Sequence, residues 1–159
     1  MKEMPLKIDY LKNHPNAIET LAKIWREELG KIWCPEVSLE QVKLKFEQHC
    51  HRTELPIGKI ALDNNTPIGM GCLRITDGIR DDLKPWLGGL VVTKAFQGKG
   101  IGKLLIDSIK ADAKNLGFSE MYLLTFDPTL PRYYHRLGWE EVEKSTYNHK
   151  PITIMKTVL

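Results

Sequence analysis

With 159 residues, 42% of them hydrophobic, the chain is long enough to build one domain around a core of its own. Its formal charge of +3 is scattered, with no block of like charges and no basic tract interleaved with aromatics, which argues against a nucleic acid partner. The three cysteines, Cys34, Cys50 and Cys72, form neither an even framework nor a C-x-x-C pair, and no stretch reads as a secretory leader or a membrane span. A reduced, cytoplasmic protein without membrane contact is the expectation.

Leu6 to Tyr10 alternates apolar and polar residues, which predicts a first strand with one buried face. Asn13-His14-Pro15 then opens a helix with proline at its first position; Ile18, Leu21, Ala22, Trp25 and Leu29 share one stripe, and Gly30 is expected to end it. A loop from Lys31 to Val37 follows. Ser38-x-x-Gln41 reads as a capping box for a second helix, whose face of Leu39, Val42, Phe46 and Cys50 stops before Pro56. Ile57 to Asp63 and Thr66 to Thr76 make a hairpin around Asn64-Asn65, residue types that accept positive φ. A polar connection through Asp77, Asp81 and Asp82 leads to Pro85, which can start a strand but not sit in its middle.

The next stretch organises the chain. An apolar run of strand character, Leu87 to Thr93, empties into Gln97-Gly98-Lys99-Gly100-Ile101-Gly102-Lys103, where a helical pattern begins. Glycines spaced by one residue remove side chains where backbone N–H groups converge, and the unpaired amides of a helix's first turn add partial positive charge there. Such a place binds phosphate. A Walker loop requires Gly-Lys-Ser/Thr five residues after its first glycine, and Lys103-Leu104 stands there instead; a dinucleotide fingerprint requires G-x-G-x-x-G, and this chain has G-x-G-x-G. The helix carries Ile101, Leu104, Leu105, Ile109, Ala113 and Leu116 at helical spacing until Gly117. A fully apolar strand, Met121 to Phe126, a short helix between Pro128 and Leu137, and strands at Trp139 to Glu143 and Ile152 to Val158 complete the chain.

The Gln97 to Gly102 loop is similar to the Q/R-x-x-G-x-G/A loop of the GCN5-related N-acetyltransferase (GNAT) family, and the order β-α-α-β-β-β-α-β-α-β-β resembles that fold over the whole chain. A second likeness is Tyr133-Tyr134-His135-Arg136-Leu137-Gly138-Trp139, similar to the family's aromatic-Tyr-x-x-x-Gly-Phe/Trp segment. Leu83-Lys84-Pro85-Trp86-Leu87 and Leu124-Thr125 extend it. The resemblance implies an α/β (α+β) domain over residues 1–159: a mixed, mostly antiparallel sheet of about seven strands with one right-handed βαβ unit that binds coenzyme A. It further implies acetyl-coenzyme A as acyl donor, a small-molecule or peptide amine as acceptor, and a monomer or homodimer. By the same resemblance the pantetheine lies along Leu90, Val91 and Val92, the pyrophosphate on the amides of Gln97, Gly98, Lys99, Gly100, Ile101, Gly102 and Lys103, and Tyr134 protonates the departing thiolate while Tyr133 takes a packing position. Gly88-Gly89 either admits a bulge that splays the sheet or marks a tight packing spot.

Other readings stay open. Both tyrosines can be plain core aromatics, and the chain can be a catalytically silent coenzyme A sensor or another nucleotide-binding protein. Asp127 stands where the family often has Asn, and a carboxylate sits less easily beside an anionic ligand. Amine attack requires loss of a proton, and Glu27, Glu28, Asp77, Asp81, Asp82 or a water chain are the candidate bases. His49-Cys50-His51 are consecutive, so their side chains fan out rather than converge, and no metal is expected. Trp25 and Trp33 can wall an acceptor pocket, Trp25 being more simply core.

Overall fold

The computed structural model describes residues 6–159. Seven strands form one sheet: β1 (Leu6–Tyr10), β2 (Ile57–Asp63), β3 (Thr66–Arg74), β4 (Trp86–Val92), β5 (Glu120–Thr125), β6 (Glu140–Tyr147) and β7 (Lys150–Val158), in the order β1-β2-β3-β4-β5-β7-β6. All neighbours are antiparallel except β4 and β5. The helix α4 (Ile101–Asn115) connects that parallel pair, which makes the expected βαβ unit.

Strand alternation distributes the core between two faces. Leu73 and Leu87 lie with Ile106, Ile109 and Ala113 of α4 and with Tyr134 of α5 (Leu130–Arg136). On the opposite face, Ile60, Met70 and Val91 meet Leu21 and Ala22 of α1 (Ile18–Trp25) and Val42 and Phe46 of α3 (Leu39–Glu47). The buried stripe of α4 differs from the expected one: Leu104 and Leu116 are exposed, and Ile106 takes their place in the core. The β2–β3 hairpin turns through Asn64 and Asn65 at φ of 52° and 69°, as their residue types predict. Ser38 and Gln41 form the capping box of α3 in both directions.

The first helix corrects the expectation for Gly30. The chain does not stop there; it passes through a π-helical turn, Arg26–Gly30, into a last short turn, α2 (Lys31–Trp33). Gly30 is buried in right-handed conformation, and a Cβ on it would stand 2.9 Å from Cζ3 of Trp25. Its glycine is a matter of space beside an indole. The β6–β7 hairpin is longer than expected because Lys144 to Tyr147 continues β6 at the edge of the sheet, Lys144 and Thr146 exposed and Tyr147 packed on Trp33, closed by Asn148 and His149 at positive φ. Such a polar edge has no apolar signature. Among the described residues no helix is long and apolar enough to cross a membrane.

Candidate active site

The site begins with a defect in the sheet. Trp86 faces Tyr122 across the parallel pair, and no further residue of β4 pairs with β5. From Leu87 onward β4 keeps its ladder to β3 and leaves its other edge open. A bulge contributes: Cys72 faces Gly88 and Met70 faces Val91, so Gly89 and Leu90 together oppose Gly71. Gly89 stands at φ +59°, the left-handed geometry that a bulge of this kind requires. Of the two readings of Gly88-Gly89, the bulge therefore belongs to Gly89. Gly88 is the tight spot: a Cβ there would lie 2.7 Å from Nη1 of Arg74.

The parted strands open a cleft of about 900 Å³. Leu90 and Gly89 lie on one side, Leu124 and Thr125 on the other, with Tyr134 also at its wall. Past the end of β4 a 3-10 turn, Lys94–Phe96, carries the chain into the glycine loop. Gly98 and Gly100 stand at φ +78° and +83°, and a Cβ on either would meet nothing within 4 Å, so the loop faces open space. No carbonyl among the described residues takes the amides of Gly98, Lys99 or Gly100, and the first amides of α4, from Ile101 to Lys103, point along the helix axis without intrahelical partners. Alternating backbone of this kind forms an anion nest.

Gln97 behaves differently from its neighbours. Its amide donates to the Lys94 carbonyl at 3.3 Å, so the open amides begin at Gly98. Its side chain donates to the Val92 carbonyl at 2.8 Å and to Glu28 at 2.9 Å, tying the loop to the end of β4 and to the π-helical turn. Lys103 pairs with Asp107 at 2.7 Å, and the Lys99 ammonium stands 5.4 Å from the centre of the Phe96 ring.

The two tyrosines of α5 diverge. Tyr134 is buried, 7% exposed, and no hydrogen-bond partner for its hydroxyl is present among the described residues. Burial, aided by Tyr133, pushes its phenol above the ordinary tyrosine range, so it stays a proton donor. Tyr133 packs partly buried against the same core, and its hydroxyl lies 3.3 Å from where a Cβ on Gly102 would sit, beside the glycine loop.

The candidate bases separate by position. Glu28 and Asp77 line the cleft; Glu27, Asp81 and Asp82 do not. Glu27 pairs with Lys31, Asp81 accepts from Thr76, and Asp82 pairs with Arg80, which also bonds Glu143 of β6. Asp127 lies at the cleft, yet its Oδ1 accepts from both the amide and the hydroxyl of Thr129, and these bonds hold its carboxyl below the usual range. Trp25 and Trp33 both reach the cleft, Trp33 stacked on Phe126 with ring centres 5.0 Å apart. Cys34 also reaches its wall, with no hydrogen bond from a basic side chain among the described residues.

Arg74, which sequence reasoning missed, and His49, which it weighed only for a metal, also line the cleft. Arg74, ending β3, donates through Nε to Nε2 of His49 at 3.0 Å and through Nη1 to Asp77 at 2.7 Å. His49 in turn donates from Nδ1 to the Lys45 carbonyl at 2.6 Å, which leaves Nε2 as the acceptor for Arg74. The neighbouring side chains go elsewhere, Cys50 to the Phe46 carbonyl and His51 to that of Pro56. No spacing rule signals a contact between residues 49 and 74.

The sequence model of the Acetyltransferase (GNAT) family matches residues 18–139. The chain is also 33% identical over 61 residues to an uncharacterised N-acetyltransferase of Chlorobaculum tepidum, and that match covers 38% of this chain and only 37% of its relative. Among solved structures it is similar to YncA of Salmonella typhimurium, a putative acetyltransferase with its cofactor acetyl-coenzyme A, at a TM-score of 0.78 and 15% identity over 98% of this chain and 95% of that one. An aminoglycoside 6'-N-acetyltransferase complexed with coenzyme A gives a TM-score of 0.75 at 18% identity over 98% and 97%. The PaiA N-acetyltransferase of Thermoplasma acidophilum, in complex with coenzyme A, gives 0.73 at 21% over 98% and 100%. These structural likenesses speak to the fold, and the family match spans well over half of the sequence: the chain belongs to the GNAT acetyltransferase family.

Proposed function

We propose that this protein is an N-acetyltransferase that moves an acetyl group from acetyl-coenzyme A to a primary amine directly, within a ternary complex. The observation that carries the reading is the parting of β4 from β5 beyond Trp86: an open strand edge at Leu90 and a buried phenol share one cleft, and the open amide loop lies past the end of β4, tied to it through Gln97's bonds to Val92 and to the cleft residue Glu28. The residues fit the donor: the space in front of Gly98 and Gly100 suits phosphate, and the edge at Leu90, Val91 and Val92, where Gln97 takes only the Val92 carbonyl, suits an extended amide-bearing arm.

Bound acetyl-coenzyme A supplies its acetyl group as a thioester. The amides from Gly98 to Lys103 hold the pyrophosphate, with Lys99 and Lys103 adding charge, while Gln97 fixes the loop through its bonds to Val92 and Glu28. Backbone groups of Leu90 and Val92 orient the thioester carbonyl. Tyr134 holds the proton that the sulfur takes on leaving. Of the two cleft carboxylates in the candidate set, Asp77 is already held by Arg74, and Glu28 is the better placed to draw a proton from the amine, directly or through water.

A thermal-shift panel with coenzyme A, acetyl-coenzyme A, NAD and ATP tests the reading. A ligand at 100 times its dissociation constant stabilises by about 2.7 kcal/mol, a shift of several degrees for a chain of this length. Coenzyme A species are expected to produce it and NAD is not; silence from every coenzyme A species overturns the reading.

A further inference from the structure

The strongest cluster outside the donor site is built around Arg74. Its side chain is 16% exposed, and it lines the cleft. A guanidinium carries five N–H donors on one plane and accepts nothing. Nε–H goes to His49, one Nη1–H to Asp77, and one Nη2–H lies toward the Cys72 sulfur at 3.8 Å. That leaves one N–H on each terminal nitrogen without an acceptor among the described residues. Two donors on a rigid plane are the counterpart of the two oxygens of a carboxylate.

The seat of this group is constructed. The guanidinium lies against Gly88 and Gly89, where side chains would stand 2.7 Å from Nη1 and 3.3 Å from Nη2. Leu90 follows directly, one strand step of about 3.3 Å further along the open edge of β4 from Arg74's seat. The other cleft charges point the same way. Asp77 is held by Arg74 and Asp127 by Thr129, and Glu28 gives one oxygen, Oε1, to Gln97 and keeps Oε2 for a single amine. An acceptor with several ammonium groups therefore meets one open carboxylate oxygen beside a guanidinium, while Trp25, Leu29, Val37 and Phe46 offer apolar wall.

We propose, resting on the N-acetyltransferase reading, that the acceptor is a small amino acid with an apolar side chain, its carboxylate seated on Arg74 and its amine directed to the strand edge at Leu90. The amino acid and acetyl-coenzyme A give the N-acetyl amino acid and coenzyme A. A carbon–nitrogen bond forms, the carbon–sulfur bond breaks, the attacking ammonium gives up two protons in all, one to the departing sulfur and one to solvent.

The test measures thiol release by the parent protein with leucine, methionine and phenylalanine, with their carboxamides, with spermidine and with an aminoglycoside. The free acids are expected to exceed their amides at least tenfold in kcat/KM and to exceed both polycations. Arg74→Gln is expected to raise KM for the acids at least tenfold and erase the preference over the amides, while the thermal shift with coenzyme A persists. Amides used as well as acids, a preferred polycation, or a folded Arg74→Gln variant that keeps the preference overturns the proposal. Should that variant fail to fold, the acid-against-amide comparison on the parent still decides. Stabilisation by coenzyme A with no amino acid acetylated overturns this proposal alone; no stabilisation by coenzyme A overturns both.

Discussion

Tyr133 and Tyr134 are neighbours in the chain, with ring centres 5.2 Å apart and planes at 70°, and only Tyr134 lines the cleft. The Tyr133 hydroxyl lies beside Gly102 at the glycine loop, while Tyr134 is buried at the cleft wall. Tyr134→Phe is expected to lower kcat about 10²-fold, the low end for a general acid, because a thiolate leaves tolerably unaided. Tyr133→Phe is expected to leave kcat within about twofold. The phenol of Tyr134 has its folded value raised, so the protonated donor persists above the ordinary tyrosine range; raising pH toward 10 does not remove its contribution. Steady-state rates of both variants across pH check this, and equal losses reassign the acid.

Gly100 stands at φ +83° with open space before it. Gly100→Ala tests backbone conformation, at a cost of about 1–2 kcal/mol for a left-handed non-glycine residue. Gly100→Val adds bulk where phosphate would approach. Coenzyme A affinity is expected to fall at least tenfold in the valine variant and less in the alanine variant, measured by calorimetry on folded protein. Unchanged affinity in the valine variant removes the loop from the donor site.

Glu28 and Glu27 are adjacent, yet only Glu28 lines the cleft and accepts from Gln97. Glu28→Gln is expected to lower the rate about tenfold near neutral pH and to spare it at high pH, where the amine is already free. Glu27→Gln, Asp81→Asn and Asp82→Asn are expected to keep the parent's pH profile. If Glu28→Gln keeps it too, a water chain is the better account.

Between β2 and α4, Lys59 and Asp112 form an ion pair at 2.9 Å, with side chains 7% and 11% exposed, and Asp112 also accepts from the Tyr10 hydroxyl. Removing one partner leaves a buried charge alone. Asp112→Ala is expected to cost about 3–5 kcal/mol by denaturant unfolding, and the double variant Lys59→Met/Asp112→Leu to recover most of it. Additive losses in the double variant contradict the pairing.

Much of this fold is visible in residue patterns because its signals are local. Asn64-Asn65, Ser38-x-x-Gln41 and the glycine loop act through a few successive backbone groups, and each lies where its residue types require. The π-helical turn escapes notice because Gly30, a usual helix stop, answers to the Trp25 indole rather than to a turn. At the cleft, Glu28 and Asp77 belong to a longer set of plausible carboxylates, and only distance separates them from Glu27, Asp81 and Asp82. Arg74 is the extreme case. Its partners include a histidine 25 residues away, and its seat is recorded in the sequence only as two glycines on a neighbouring strand.

One facing pair, Trp86 and Tyr122, is all the backbone pairing between β4 and β5 among the described residues. Backbone hydrogen bonding therefore divides the molecule into two blocks, one of β1 to β4 and the other of β5, β7 and β6, bound to each other chiefly by side chains under α4 and α5. Native-state hydrogen exchange should then report two cooperative units rather than one, with the amides along the inner edges of the split opening most readily. A ligand lying between those edges would act as a missing rung, and the two units should merge toward a single opening free energy when it binds.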